Sequence, residues 1–285
     1  TSGAYSYTQF QINGTVNFNA DQTFTNCMFY FGPMAKITMS PGVEVQFHEC
    51  ALVAGCEYMW DGIYVDSPSE SLIMDSCKVR DAISAVYSSG NGYYALKHND
   101  FRQNYISLFV KNSEPGFTGV MSDNVLYQNS ALVYPPYIGS KGFAGVKTYH
   151  AASVNIGPGN EFDKLFNGIW AEKSQLIVKG NLFKNINTMT VFNVSTGAIY
   201  MDGGHAASNY FIWHTSVIGG TNAADGNNFQ NCLNGVVAKN PQKFEILNND
   251  FSRITMFAVK YSLLNKACRA DIQDNSFTNC ATGIY

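Results

Sequence analysis

The chain repeats a short phrase: Asn, any residue, a large apolar residue, and then a run in which apolar and polar positions alternate. The phrase occurs as Asn99-Asp100-Phe101, Asn124-Val125-Leu126, Asn160-Glu161-Phe162, Asn181-Leu182-Phe183, Asn227-Asn228-Phe229, Asn249-Asp250-Phe251 and Asn275-Ser276-Phe277. Phe29, Leu52 and Val79 hold the same apolar place earlier, with Cys27, Cys50 and Cys77 where later units have Asn. Phased on the apolar residue, the steps are 23, 27, 22, 25, 36, 21, 46, 22 and 26 residues. Periods of roughly 20–30 residues with little helix-forming pattern indicate a solenoid, in which each unit buries its apolar face only against its neighbours.

Within each unit the alternation has period two, as in Gly62-Ile63-Tyr64-Val65, Gly168-Ile169-Trp170-Ala171 and Gly235-Val236-Val237-Ala238. That is the signature of short strands with one buried face. A second short strand precedes each landmark, as in Leu72-Ile73-Met74, Leu176-Ile177-Val178 and Phe244-Glu245-Ile246-Leu247. Two or three short strands per turn with polar corners predict an all-β parallel β-helix of roughly ten to twelve coils. Stacking turns the repeated Asn into a column whose amides donate and accept from coil to coil, and Cys fills the same place as a small residue. Residues 1–285 read as one such domain, with insertions at about 134–150 and 200–224. The longest step holds enough residues for a whole extra coil plus a loop, or for one long excursion.

The strand after each landmark has one outward position between two inward ones. Down the stack that position reads Tyr64, Tyr87, Phe109, Tyr134, Trp170, Val191, Val237, Val259 and Tyr285. Aromatic rings on a rigid sheet can pack against the apolar faces of sugars, so Tyr64, Tyr87, Phe109, Tyr134 and Trp170 are the candidate ligand-binding residues for a long polymer. The same rings can instead stabilise neighbouring strands by stacking on one another, or lie under the long loops.

Composition narrows the chemistry. Charged residues make up 14% of the chain, against roughly 25% in ordinary soluble domains, and the net charge is -3. There is no basic stripe for nucleic acid, no P-loop or Rossmann fingerprint, and no apolar run long enough to span a membrane. The seven cysteines have no zinc-ligand spacing and read as buried thiols, with a Cys27–Cys50 bridge within reach as the alternative. Of the five histidines, His205 and His214 fall in the longer insertion. The chain opens on Thr1-Ser2-Gly3-Ala4 and ends on Thr282-Gly283-Ile284-Tyr285, which reads as a piece of a longer parent protein.

One charge cluster is a candidate for catalysis: Lys78, Arg80, Asp100 and Arg102, flanking Val79 and Phe101 at equivalent positions of adjacent coils. The phase places Arg80 over Arg102 and sets Asp100 to offset Lys78. A polyuronate lyase needs a cation to neutralise the substrate carboxylate and a base of lowered proton affinity, and calcium often supplies the first. An inverting hydrolase needs paired acids, for which Asp61, Asp66 and Asp81 are the available residues.

The Asn-x-Phe and Gly-Ile-x-Val phrases, with Trp60-Asp61-Gly62-Ile63-Tyr64-Val65, Leu72-Ile73-Met74-Asp75-Ser76-Cys77 and Ala85-Val86-Tyr87, resemble the right-handed parallel β-helix, pectate-lyase-like superfamily. The repeat is similar to that of secreted surface proteins of gliding and gut bacteria. The resemblance implies a right-handed single-stranded solenoid and a secreted or cell-surface location in a bacterium. It transfers structural landmarks and no metal or catalytic position, so no metal-binding residue is assigned. The expectation is a non-catalytic adhesive or glycan-binding module. A polysaccharide lyase using calcium is the alternative, and a glycoside hydrolase a more distant one.

Overall fold

The computed structural model describes residues 2–116, 119–187, 196–203, 215–240, 243–262 and 269–285. It is an all-parallel β-solenoid. Among the described residues, two sheets have eleven strands each, and a third face is divided between a six-stranded and a five-stranded sheet. The only helix among the described residues is a single 3₁₀ turn at Ala223–Asp225. No helix there is long and apolar enough to cross a membrane.

The repeated phrase sits on one of the long sheets, here called the landmark sheet. Its strands include Gln9–Ile12, Met28–Phe31, Lys78–Arg80, Asp100–Arg102, Glu161–Asp163, Leu182–Lys184 and Ser276–Thr278. The first coil escapes the phrase because Phe10 holds the apolar place and is paired directly with Phe29. Inside the stack Phe162, Phe183, Phe229, Phe251 and Phe277 form a continuous pile, with ring centroids 4.6–5.3 Å apart. Offset stacking of this kind adds to the burial energy of each ring.

The second long sheet carries the alternating run and is called the outer-column sheet. Its strands include Lys36–Met39, Trp60–Val65, Ala82–Ser89, Ile106–Lys111, Ala144–Tyr149, Asn167–Glu172, Ile199–Asp202, Asn234–Lys239 and Phe257–Ser262. The glycine of the Gly-Ile-x-Val phrase has a steric cause. A Cβ on Gly168 would lie 2.7 Å from Cδ1 of Phe183, and one on Gly235 would lie 2.7 Å from Cε1 of Phe251. The Phe pile fills the space that a side chain would need.

Corners between faces are made by single residues in the left-handed region. Glu49, Ser76, His98 and Asp123 each precede the Cys/Asn column, and Asp81, Gln103, Lys164, Asn185, Asn231, Arg253 and Asn279 close the landmark strand. One αL residue swings the chain onto the next face, and Asn and Asp tolerate that conformation best.

The Cys/Asn column forms as the stacking argument requires. From Asn99 onward each side-chain amide donates to Oδ1 of the next Asn, through Asn124, Asn160, Asn181, Asn227, Asn249 and Asn275, at 2.9–3.1 Å. The same Oδ1 atoms accept from backbone N–H groups of the preceding coil, and the amides also bond carbonyls such as Met74 O and Ile218 O. Corner groups that would otherwise be buried unpaired are met in this way. Cys27, Cys50 and Cys77 begin the column as buried free thiols, and no Cys27–Cys50 bridge is formed.

The two long steps resolve differently. The 46-residue step is one large coil, because Leu182–Lys184 pairs directly with Asn228–Gln230. Ile199–Asp202 and Ser216–Gly219 are strands of that coil, the first overlapping the start of the span 200–224 expected as insertion and the second within it, while His205 and His214 lie outside the described residues. In the 36-residue step the excursion ends at Phe143, since Ala144–Tyr149 rejoins the outer-column sheet.

Candidate functional site

The most developed surface is the outside of the outer-column sheet. Strand register places Tyr64, Tyr87, Phe109, Lys147, Trp170, Tyr200, Val237 and Lys260 in one column. Tyr64, Tyr87, Phe109 and Trp170 therefore share a face as the alternation predicts. Tyr134 does not: it sits in the loop, and Lys147 occupies its place. Val259 is wholly buried and Lys260 points outward beside it. Val191 lies outside the described residues, and Tyr200 fills the position assigned to it.

The rings pack on one another. Tyr64 and Tyr87 are 4.9 Å apart and tilted, Phe109 meets Tyr87 edge-on at 5.3 Å, and Trp170 stacks on Tyr200 at 4.0 Å. Lys36 lies over Tyr64 at 5.0 Å, and Lys147 lies over both Phe109 at 5.0 Å and Phe143 at 5.4 Å. Much of each ring face is thus taken by a neighbouring ring or ammonium group. Tyr64, Tyr87, Phe109 and Trp170 are half-buried, and Tyr200 is buried.

Polar groups line the same column. The Trp170 indole donates to Glu172 at 2.6 Å, and the Tyr200 hydroxyl donates to Asp202 at 3.4 Å. Burial raises Tyr64 and Tyr87, with the Asp61 charge adding at Tyr64, and burial beside Asp202 pushes Tyr200 up to about 12. All three phenols remain donors at neutral pH.

A second row, missed in the sequence, borders the column. Tyr105, Phe143 and Phe166 each lie four residues before Phe109, Lys147 and Trp170, and that constant spacing was the available signal. Phe143 contacts Tyr105, Phe166 and Trp170, with centroids 5.2–6.4 Å away. The loop 128–143 folds back on this row. Tyr137 stacks flat on Tyr105 at 3.6 Å, and the Met59 N–H donates to the Pro135 carbonyl at 3.0 Å. The loop is braced internally by Leu132 N–H to Ser140 O and Gly139 N–H to Leu132 O, with Leu132 buried. It leaves Val133 and Ile138 exposed and makes its contacts at Met59 and Tyr105, which immediately precede the strands of Tyr64 and Phe109.

The charge cluster is on the outside of the landmark sheet. Lys78 pairs in register with Asp100, and Arg80 with Arg102. Asp100 does not serve Lys78: it binds Nε of Arg102 in its own strand at 2.7 Å. That bond raises the proton affinity of Arg102, the opposite of what a lyase base requires. The proposed hydrolase acids are also engaged separately. Asp61 bonds Tyr64, Asp66 accepts from Ser89 at 2.8 Å, and Asp81 occupies a corner where burial raises it to about 6. Among the described residues no three His, Cys, Asp or Glu side chains converge as a metal site.

No protein-family model matches the chain, and neither the curated proteins nor the solved structures give a significant match.

Proposed function

We propose that this chain, whose all-parallel solenoid of about eleven turns has the arrangement of the pectate-lyase-like β-helix superfamily, is a non-catalytic secreted or cell-surface module that holds an extended glycan. The observation that carries this reading is the outer-column face with its one-sided wall. Half-buried rings recur at the coil spacing of about 4.8 Å, and the loop 128–143 borders them through Tyr137 on Tyr105. Because ring faces are largely occupied, the ligand meets ring edges, phenol donors and the flanking Asp66, Ser89, Glu172 and Asp202. A hydroxyl-rich polymer lying along the axis matches that repeat of apolar edge and polar tip. A bacterial cell-surface setting and an adhesive role are part of the proposal. They are supported by the sparse charge and the rigid, repeated surface.

The test is retention of the protein on immobilised neutral glycans, with the mobile phase assayed for unsaturated products and new reducing ends. Retention without product is expected, and it should weaken in Trp170→Ala and Tyr87→Ala. Product formation would replace the reading with the lyase or hydrolase alternative. Absence of retention on every glycan would leave a structural stalk.

A further inference from the structure

The outside of the landmark sheet carries a second feature that the glycan reading does not use. Coil by coil, its outward pairs are Met28 and Tyr30, Ala51 and Val53, Lys78 and Arg80, Asp100 and Arg102, then Val125 and Tyr127. A band of charge therefore lies between uncharged rungs. Two of the four arginines in the chain are direct register partners in this band, although the protein as a whole is acidic. Like charges placed opposite one another on a sheet are destabilising unless something offsets them. The acids within reach are Asp100, already bound to Arg102, and Asp81 at the corner beside Arg80. Beyond the band, Tyr127 is flanked by cations: Arg102 lies over its ring at 5.8 Å, and Lys164 lies over it at 5.1 Å with Nζ 3.2 Å from the hydroxyl. Farther along, Lys184 is neutralised by Glu161 at 2.7 Å and Asp163 at 4.0 Å, so the uncompensated charge is concentrated at the Arg80 end.

We propose that Lys78, Arg80 and Arg102, with Lys164 beside them, form a binding site for the sulfate esters of a sulfated polysaccharide. The ion pair to Asp100 uses Nε of Arg102 and leaves its two terminal nitrogens outside that pair, while Arg80 is the register partner of Arg102 and Lys78 is exposed on the same band. Three separately placed cationic groups match an anion with three free oxygens better than a carboxylate with two. Val53 and Tyr127 bound the band with surface on which a sugar ring can rest. The site lies on a different sheet from the aromatic column and rests on no part of that reading.

The test measures binding of dextran sulfate, polyphosphate, polygalacturonate and uncharged dextran to the whole protein by calorimetry over a range of salt concentrations. Dextran sulfate should bind tightest, with affinity falling as salt rises. Arg80→Gln and Arg102→Gln should each weaken it by about tenfold or more, a difference calorimetry resolves readily. Lys243→Gln, on another face, should leave it unchanged. Arg80→Lys keeps the charge and loses the fork, so it should fall between wild type and Arg80→Gln. Trp170→Ala should affect neutral-glycan retention alone, which separates failure here from failure of the proposed function. The assignment is overturned if polygalacturonate or polyphosphate binds as tightly as dextran sulfate. It is also overturned if the two Gln variants bind as wild type, or if Lys243→Gln weakens binding as much as they do.

Discussion

The side-chain amide of Asn181 donates to Oδ1 of Asn227 at 3.1 Å across a separation of 46 residues, the longest excursion in the chain. The column therefore continues unbroken across the longest step of the repeat. That makes Asn181 a clip that holds the two halves of the solenoid in register.

Replacing it should be costly. Asn181 also bonds the Ile156 and Lys179 carbonyls, while its own Oδ1 accepts from the backbone and side chain of Asn160. Asn181→Ala strands several buried polar groups at once and should destabilise the protein by about 2–4 kcal/mol, read as a lowered denaturant midpoint. Asn181→Cys should cost less, because sulfur already serves this column, where Cys27 N–H contacts Sγ of Cys50 at 3.4 Å.

The glycine two residues before Trp170 gives a second measurable consequence. A Cβ on Gly168 would lie 2.5 Å from the Ala198 carbonyl and 2.7 Å from Phe183, both fully packed. Gly168→Ala should cost about 1–3 kcal/mol by overpacking. Gly116, where a Cβ meets nothing within 4 Å, is the contrast. Its positive φ of 94° still penalises a side chain, but no packing is disturbed.

The repeated letters make the coil stack, the Asn column and the shared face of Tyr64, Tyr87, Phe109 and Trp170 legible in the sequence. What failed was phase beyond a lengthened corner. Landmark and outward residue are eight apart in Phe101 and Phe109, in Phe162 and Trp170, and in Phe229 and Val237. Carrying that spacing through the loop 128–143 selects Tyr134 where register requires Lys147. Carrying it past Phe251 selects Val259, because one additional residue at that corner moves the outward place to Lys260. Loop length is set by surface packing, such as Tyr137 on Tyr105, and leaves no periodic trace. The charge cluster was legible as a register, but the choice of Asp100 for Arg102 over Lys78 is a rotamer preference that spacing does not carry.

Asp81 should give the protein a pH dependence of unusual sign for an acid. Burial raises it to about 6, and the nearby Arg80 charge only partly opposes this. A carboxyl whose folded pKa is raised holds its proton more tightly in the native state. Its contribution to stability is therefore greatest below the unfolded value and is lost as pH climbs through about 6. Asp81→Asn keeps a side chain suited to the φ of 60° at this corner and removes the titration. The variant should unfold at the same denaturant concentration as wild type near the unfolded pKa of about 3.9. It should be the more stable of the two above about pH 6, the folded value of Asp81. Parallel pH profiles for the two proteins would exclude this role for Asp81.

Thiol reactivity should follow access rather than acidity. A hydrogen bond from Cys77 holds Cys50 below the ordinary thiol range, which would favour its thiolate in an open setting. Yet Cys50 is 1% exposed and has Cys27 and Cys77 as its neighbours in the column, both buried, whereas Cys56 lies on the surface. Brief treatment of the native protein with a thiol reagent, followed by peptide mapping, should find Cys56 labelled and Cys27, Cys50, Cys77 and Cys232 protected. Denaturant should expose these four together, because their burial depends on intact stacking of the coils. Labelling of Cys50 in the native state at a rate matching Cys56 would mean that the first coils open locally, and that the stack is less cooperative than its continuous column implies.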